Sequence, residues 1–254
     1  MRIKRNLIIQ IDNNNLNIMA NKEVCIFGNG RSLKDFDFKK IDREKYDVIG
    51  CCMAFRHWNK IDWFPDIYVN VDTVVCQNPE VIEFIKQKKC KFYVLSVALK
   101  EVWKDYPKDG TIFFLEELIQ FPMSSFKYIR NWCSGSACVI ASLDRYRKLH
   151  LFGFDCDYVE FIPECIQEED GTLTIETTPE TNPNYFVDDY QRKGDRYNKP
   201  NGETIHMKSW EELSYIIDFI NKMYPEYKVD LTNYNSKKSI SQYFTTKTVK
   251  KFDC

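Results

Sequence analysis

The sequence predicts an α/β fold: a mostly parallel sheet with helices on both faces and a long lid insertion. Two observations carry this expectation. Short apolar runs alternate with amphipathic stretches over residues 23–154, and the first run ends in two glycines one residue apart, Gly28-Asn29-Gly30. Strands that alternate with helices pair in parallel, because each crossover helix must return the chain to the same edge of the sheet. A glycine-bearing turn directly after the first strand makes the pattern Rossmann-like.

The elements are read in order. Residues 1–21 form an irregular, Asn-rich leader without a clear period. The first buried strand is Glu23-Val24-Cys25-Ile26-Phe27, followed by Asp47-Val48-Ile49-Gly50-Cys51-Cys52 and Asp66-Ile67-Tyr68-Val69-Asn70. Pro79 opens a helix with Val81, Phe84 and Ile85 on one face. Lys91 to Val97 is expected as a strand, Ala98 to Tyr106 as a helix, and Thr111 to Leu115 as a strand. Ser134 to Lys148 reads as a helix with small residues at its start, feeding a buried strand over Leu149 to Phe154. Residues 156–205 lack buried periodicity, which in a compact domain marks a lid, a binding loop or disorder. Ser209-Trp210-Glu211-Glu212 has the form of a capping box, and Trp210, Leu213, Ile217, Ile220 and Tyr224 share one apolar face. A last strand falls near Tyr227 to Leu231. The chain therefore divides into the leader, one domain over residues 22–232 with its lid, and a polar, loosely attached tail over 233–254.

Composition narrows the function classes. A length of 254 residues suits one domain, and 44% hydrophobic residues supply a sizeable core. Charged residues nearly cancel to a formal charge of -1, which argues against a nucleic-acid partner. No apolar run reaches the length of a membrane span, and no secretory signal precedes the ten cysteines. Without a CxxC pair, those cysteines read as free thiols in a cytoplasmic protein.

Parallel sheets bind ligands outside the carboxyl ends of their strands. That rule places Gly28, Asn29, Gly30, Asn70, Asp72 and Asp155 on one rim. Gly28 and Gly30 allow a phosphate or ribose to approach backbone N–H groups, while Asn29 and Ser32 add polar side chains; a plain strand-to-helix turn is the other reading. Ser134 and Gly135 open a helix whose first N–H groups suit an anion, with Arg130 nearby as a cation, or they simply allow close helix packing. His206 precedes a helix, whose positive end favours the neutral imidazole that a general base requires, although many such histidines are structural. The segment Asn182 to Tyr197 concentrates tyrosines, carboxylates and arginines, and Tyr190 and Tyr197 are candidate donors to a departing phosphate. Asp155-Cys156-Asp157 has the spacing of a metal-binding DxD pair, but such spacing is common by chance and no metal site is assigned.

Taken together, these features resemble the bacterial sialyltransferases that use CMP-sialic acid. The resemblance rests on Gly28-Asn29-Gly30-Arg31-Ser32-Leu33-Lys34, on Cys133-Ser134-Gly135 with the helix and the strand to Asp155, and on the insertion ending at His206. It implies a nucleotide-sugar-binding domain over residues 22–232, with Asn29, Ser134 and Gly135 on CMP, His206 as base, lid tyrosines on the leaving phosphate, no cofactor and a glycan acceptor. The sequence departs from that family at Cys51-Cys52, where the family carries an Asn that contacts the nucleotide. The same features also look like motility-accessory glycosyltransferases and archaeal pterin pyrophosphokinases. The latter supply a rival reading, Mg²⁺-dependent pyrophosphoryl transfer through Asp155 and Asp157; a non-catalytic nucleotide-binding domain is another.

Overall fold

The computed structural model describes residues 22–104, 109–118, 133–143, 145–200, 205–225, 228–234, 240–247 and 251–252. The expected leader and Arg130 lie outside the described residues. The fold is the Rossmann-like α/β architecture that the sequence predicts.

Eight strands form one parallel sheet: β1 (Glu23–Phe27), β2 (Tyr46–Cys51), β3 (Ile67–Asn70), β4 (Phe92–Leu95), β5 (Ile112–Phe114), β6 (Lys148–Phe152), β10 (Asp230–Asn233) and β11 (Thr245–Thr246). Their spatial order is β11-β10-β6-β1-β2-β3-β4-β5. The chain steps outward from β1 to β5 and then returns to pair β6 on the other side of β1. The crevice at the ends of β1 and β6 is thus the switch point at which ligands bind in such sheets.

Alternation along the strands explains the two-sided core. Val24 and Ile26 of β1, with Ile49, Val69 and Leu151, face α4 (Ser134–Ser142) and α5 (Met207–Met223) through Ala137, Val139, Trp210, Leu213 and Ile217. Cys25 and Phe27 point the opposite way, with Val48, Tyr68 and Phe152, against Phe38 and the helices α1 (Phe55–Ile61) and α2 (Pro79–Lys86). Both faces are covered, so both phases of each strand are apolar. Pro79 and the Asn78 side chain, which accepts a hydrogen bond from Glu80 N–H, start α2 as the sequence indicates. A short helix, α3 (Leu115–Leu118), follows β5.

Several sequence expectations are corrected. Where Ala98–Tyr106 was expected as a helix, the described residues 98–104 are not α-helical; a 3₁₀ turn at Val97–Leu99 leads into further turns. Only Leu99 and Trp103 are buried there, too few to anchor a helical face, and the Glu116 carboxylate accepts from Val97 N–H and Ser96 Oγ. The α4 helix ends at Ser142, short of the expected Lys148, where buried Ser142 Oγ donates to Val139 O. Ser209 is not a cap, since α5 begins at Met207 with His206 in the cap position. Ser209 is fully buried, with its hydroxyl 2.7 Å from Ser136 Oγ, and joins the two helices at their starts. The described residues beyond 232 pack on the domain: β11 extends the sheet, Ile240 is buried, and Phe252 packs on Tyr46, His150, Phe152 and Tyr234.

The segment expected as a lid folds more than its sequence suggests. It carries a three-stranded antiparallel sheet of β7 (Cys165–Gln167), β8 (Leu173–Ile175) and β9 (Arg196–Tyr197), over a small core of Ile162, Leu173, Ile175 and Tyr197. Its later part is tied to the main domain by a buried guanidinium. Arg56 on α1 meets Asp195 at 2.5 Å and Glu80 at 2.7 Å, and donates to the Tyr190 carbonyl. Asn78 Nδ2 and Arg192 N–H also donate to the Asp195 carboxylate. Removing one member of a buried pair strands the other charge without solvent. Arg56→Met is therefore expected to lower stability by about 3 kcal/mol, measured by urea unfolding; a loss under about 1 kcal/mol would show that the lid is held by its apolar contacts instead.

Candidate functional site

A cavity of about 500 Å³ lies over the carboxyl ends of β1, β2, β3 and β6, between the start of α4, the start of α5 and the lid. Eight of the residues singled out in the sequence line it: Gly28, Asn29, Asp72, Ser134, Gly135, Tyr190, Tyr197 and His206. Gly30, Ser32, Asn70 and Asp155 do not.

The reason lies in how closely two chain segments pass. Gly28 N–H donates to Phe152 O and Gly30 N–H to Gly153 O, each at 2.8 Å, so neither amide is free for a phosphate. A Cβ at Gly28 would come within 2.4 Å of the Gly153 carbonyl, and one at Gly30 within 2.4 Å of the Asp155 carboxylate. The glycines thus permit the approach of the chain leaving β6. Ser32 completes the clasp, with N–H and Oγ donating to the two Asp155 carboxylate oxygens at 2.9 and 2.6 Å. Asn70 is likewise consumed, its side chain bonded to Tyr68 Oη and to Asp72 N–H. Among the described residues, no three His, Cys, Asp or Glu side chains are grouped to hold a metal ion.

Asn29 is the best-placed polar group. Its Nδ2 donates to Cys51 O at 3.3 Å and to Tyr190 Oη at 2.8 Å. Because a carbonyl only accepts, this fixes the amide orientation and leaves Asn29 Oδ1 buried without a hydrogen-bond partner. Buried acceptors are seldom left in that state, and a ligand N–H or O–H would relieve it.

Tyr190 closes the same corner. Its hydroxyl accepts from both Asn29 and Met53 N–H, and its ring stacks on Tyr185 at 3.9 Å. Burial pushes both phenols up, so they remain protonated. Arg196, Asn198 and Lys199 add polar groups at the lid side, with Arg196 paired to Asp170 and Lys199 to Glu160.

Across the cavity, Ser134 and Gly135 occupy the first turn of α4, where backbone N–H groups have no partner inside the helix. A Cβ at Gly135 would press on the Phe154 ring at 2.8 Å and on Trp210 at 3.0 Å, so this glycine also serves close packing. His206 stands at the head of α5 with its ring 4.8 Å from that of Tyr158. Cys133 caps α4, its sulfur accepting from Ser136 N–H at 3.5 Å. Cys52 and Cys156, both on the cavity wall, adopt left-handed backbone with φ of 54° and 52°. Such strain in non-glycine residues concentrates at ligand sites.

Sequence reasoning missed Cys133, Tyr158 and Tyr185 as site residues. Cys133 was visible only as the residue before Ser134, and nothing local marks it as part of the cavity wall. The other histidines are elsewhere: His57 packs on Phe38 and Phe186, and His150 Nε2 lies 2.6 Å from Glu23.

No protein-family model and no curated protein matches the chain significantly. Among solved structures, it is similar to the sialyltransferase CstII from Campylobacter jejuni in complex with a substrate analogue, cytidine-5′-monophosphate. The TM-score is 0.51 at 14% identity, over 89% of this chain and 84% of that one. This likeness is one of fold, the Rossmann-like α/β sheet described above. A MAf glycosyltransferase from Magnetospirillum magneticum AMB-1 is also similar, with a TM-score of 0.48 and 15% identity over 91% of this chain and 34% of that one. No described helix is long and apolar enough to cross a membrane.

The Tyr190 hydroxyl satisfies two donors at once, Asn29 Nδ2 and Met53 N–H. Tyr190→Phe leaves both without that acceptor while the ring can still stack. The expected loss is about 1–3 kcal/mol in chemical denaturation; an unchanged midpoint would mean that other acceptors replace the hydroxyl.

Proposed function

We propose that this protein is a glycosyltransferase that moves a sugar, sialic-acid-like, from a CMP-activated donor to a glycan hydroxyl with inversion. The observation that carries this reading is the convergence on one switch-point cavity of an unpaired buried acceptor, Asn29 Oδ1, and the open start of α4, with His206 opposite. The similarity to a fold whose solved example holds cytidine-5′-monophosphate supports it.

In this reading Asn29 Oδ1 accepts from a nucleoside N–H or O–H. The N–H groups of Ser134 and Gly135 receive the phosphate, which the helix dipole favours. Asp72 and Gly28 border the nucleotide. His206 takes the proton from the acceptor hydroxyl as that oxygen bonds to the anomeric carbon, and the bond from that carbon to the phosphate oxygen breaks on the opposite face. CMP leaves as an anion. Hydrogen bonds from Tyr190 and Tyr197, with Arg130 as a further cation, stabilise the growing charge. The folded lid excludes water and so favours transfer over hydrolysis.

A thermal-shift panel of CMP, CDP, UDP, GDP, ATP and CMP-sialic acid, each with EDTA or Mg²⁺, tests the donor. Ligand at one hundred times its dissociation constant stabilises a fold by about 2.7 kcal/mol. Selective stabilisation by CMP compounds in EDTA is the expected result; a response confined to ATP with Mg²⁺ would overturn the reading. In a transfer assay, His206→Ala is expected to cost about 100-fold or more in kcat, with nucleotide binding retained.

A further inference from the structure

We infer that the outward face of α5 (Met207–Met223) pairs antiparallel with the same face of a second copy of this chain, forming a reversible twofold dimer away from the cavity.

The helical period divides α5 into two faces. Trp210, Leu213, Ile217 and Ile220 turn into the core, at the three- and four-residue spacing of one side of a helix. On the opposite side, Tyr215, Phe219 and Met223 follow one another at four-residue spacing and stand 65%, 48% and 54% exposed. Tyr215 is the most exposed large apolar side chain among the described residues. Its hydroxyl donates to the Glu211 carboxylate at 3.3 Å, which holds the ring along the helix. Aromatic residues and methionine are the types that interfaces favour, and a row of them on a surface helix forms a ridge that another helix can receive. None of the three lines the cavity.

The charges along the ridge identify that other helix. Glu211 and Glu212 lie about one turn before Tyr215, and exposed Lys222 lies about one turn after Phe219. The ridge is therefore acidic at one end, basic at the other and apolar between. A parallel copy would set carboxylates against carboxylates. An antiparallel copy, related by a twofold axis at the level of Ile217, sets Tyr215 opposite the partner's Phe219, because both positions are two residues from the axis. The same axis brings Glu211 and Glu212 to the level of the partner's Lys222. One surface is thus complementary to itself, as a twofold interface requires. Asp218 is exposed too, but lies about a quarter turn from the crest of the ridge, at the solvent edge of the pair.

One helix face offers fewer than the roughly 20 residues a side of a stable interface, so the pair dissociates on dilution. The heads of the two helices, each with its His206, lie about 33 Å apart at opposite ends of the pair.

Sedimentation equilibrium of the full chain over a concentration series, with zero-length carbodiimide cross-linking and peptide mapping in parallel, tests the pairing. The mass is expected to rise from 30.3 kDa toward twice that value with concentration. Cross-links are expected between Lys222 and Glu211 or Glu212. Within one helix these positions are about 15 Å apart, beyond a zero-length link, so the product bridges two copies. Phe219→Glu and Lys222→Glu are each expected to weaken the dimer by about 10-fold or more. Lys222→Glu combined with Glu211→Lys and Glu212→Lys is expected to restore it. A single 30.3 kDa species at every concentration, the outcome if residues 1–21 of the same chain covered the ridge, would overturn the proposal. So would a dimer indifferent to Phe219→Glu, or one that the charge exchange fails to restore. The wild-type cross-link decides the matter if a variant does not fold. Because the readout is mass and not sugar transfer, it is independent of the donor.

Discussion

Two chain segments leave the sheet at the ends of β1 and β6 and run closer together than any side chain would allow. Gly28 and Gly30 have no Cβ to clash with the Gly153 carbonyl and the Asp155 carboxylate, and their amides bond across the gap. Ser32 then grips Asp155 through two hydrogen bonds. This contact fixes Asn29, whose side chain reaches Cys51 and Tyr190, and it fixes Phe154, on which Gly135 and Trp210 pack. The cavity floor and the starts of both α4 and α5 are therefore positioned by one glycine-dependent approach.

The lid is joined to that framework by a different kind of force. Asn29 O accepts from Phe186 N–H, and Phe186, Val187 and Tyr190 enter the aromatic core on one face of the sheet. The Arg56 guanidinium then meets Asp195 and Glu80 at the edge of the cavity. A buried ion pair adds little net stability over an apolar substitute, but it tolerates only one geometry. Its contribution here is to set where Tyr190 and Tyr197 stand relative to Asn29. Apolar packing provides the adhesion and the ion pair provides the register.

At the opposite wall, the thiol of Cys133 links the starts of α4 and α5. Its sulfur caps one helix and lies 3.8 Å from the Ser209 hydroxyl of the other. Buried Ser136 and Ser209 join the same network at 2.7 Å.

The sequence by itself determined the strands β1 to β4 and β6, the parallel sheet, and the rim on which Asn29 and Asp72 fall. These depend on local apolar runs and on glycines, and a strand buried on both faces writes itself as a continuous apolar segment. It also marked residues 182–197 as unusual through their density of tyrosine, arginine and carboxylate. What only the tertiary structure decided were pairings between residues distant in the chain. Ser32 and Asp155 read as ligand groups until the fold showed them bonded to each other, and Ser209 read as a cap until Ser136 was found against it. The order and fold of the lid were illegible because its core is small and its anchor, Arg56, sits in a helix far upstream. Periodicity reports which face of an element is buried; it carries no record of which polar group on another element will meet it.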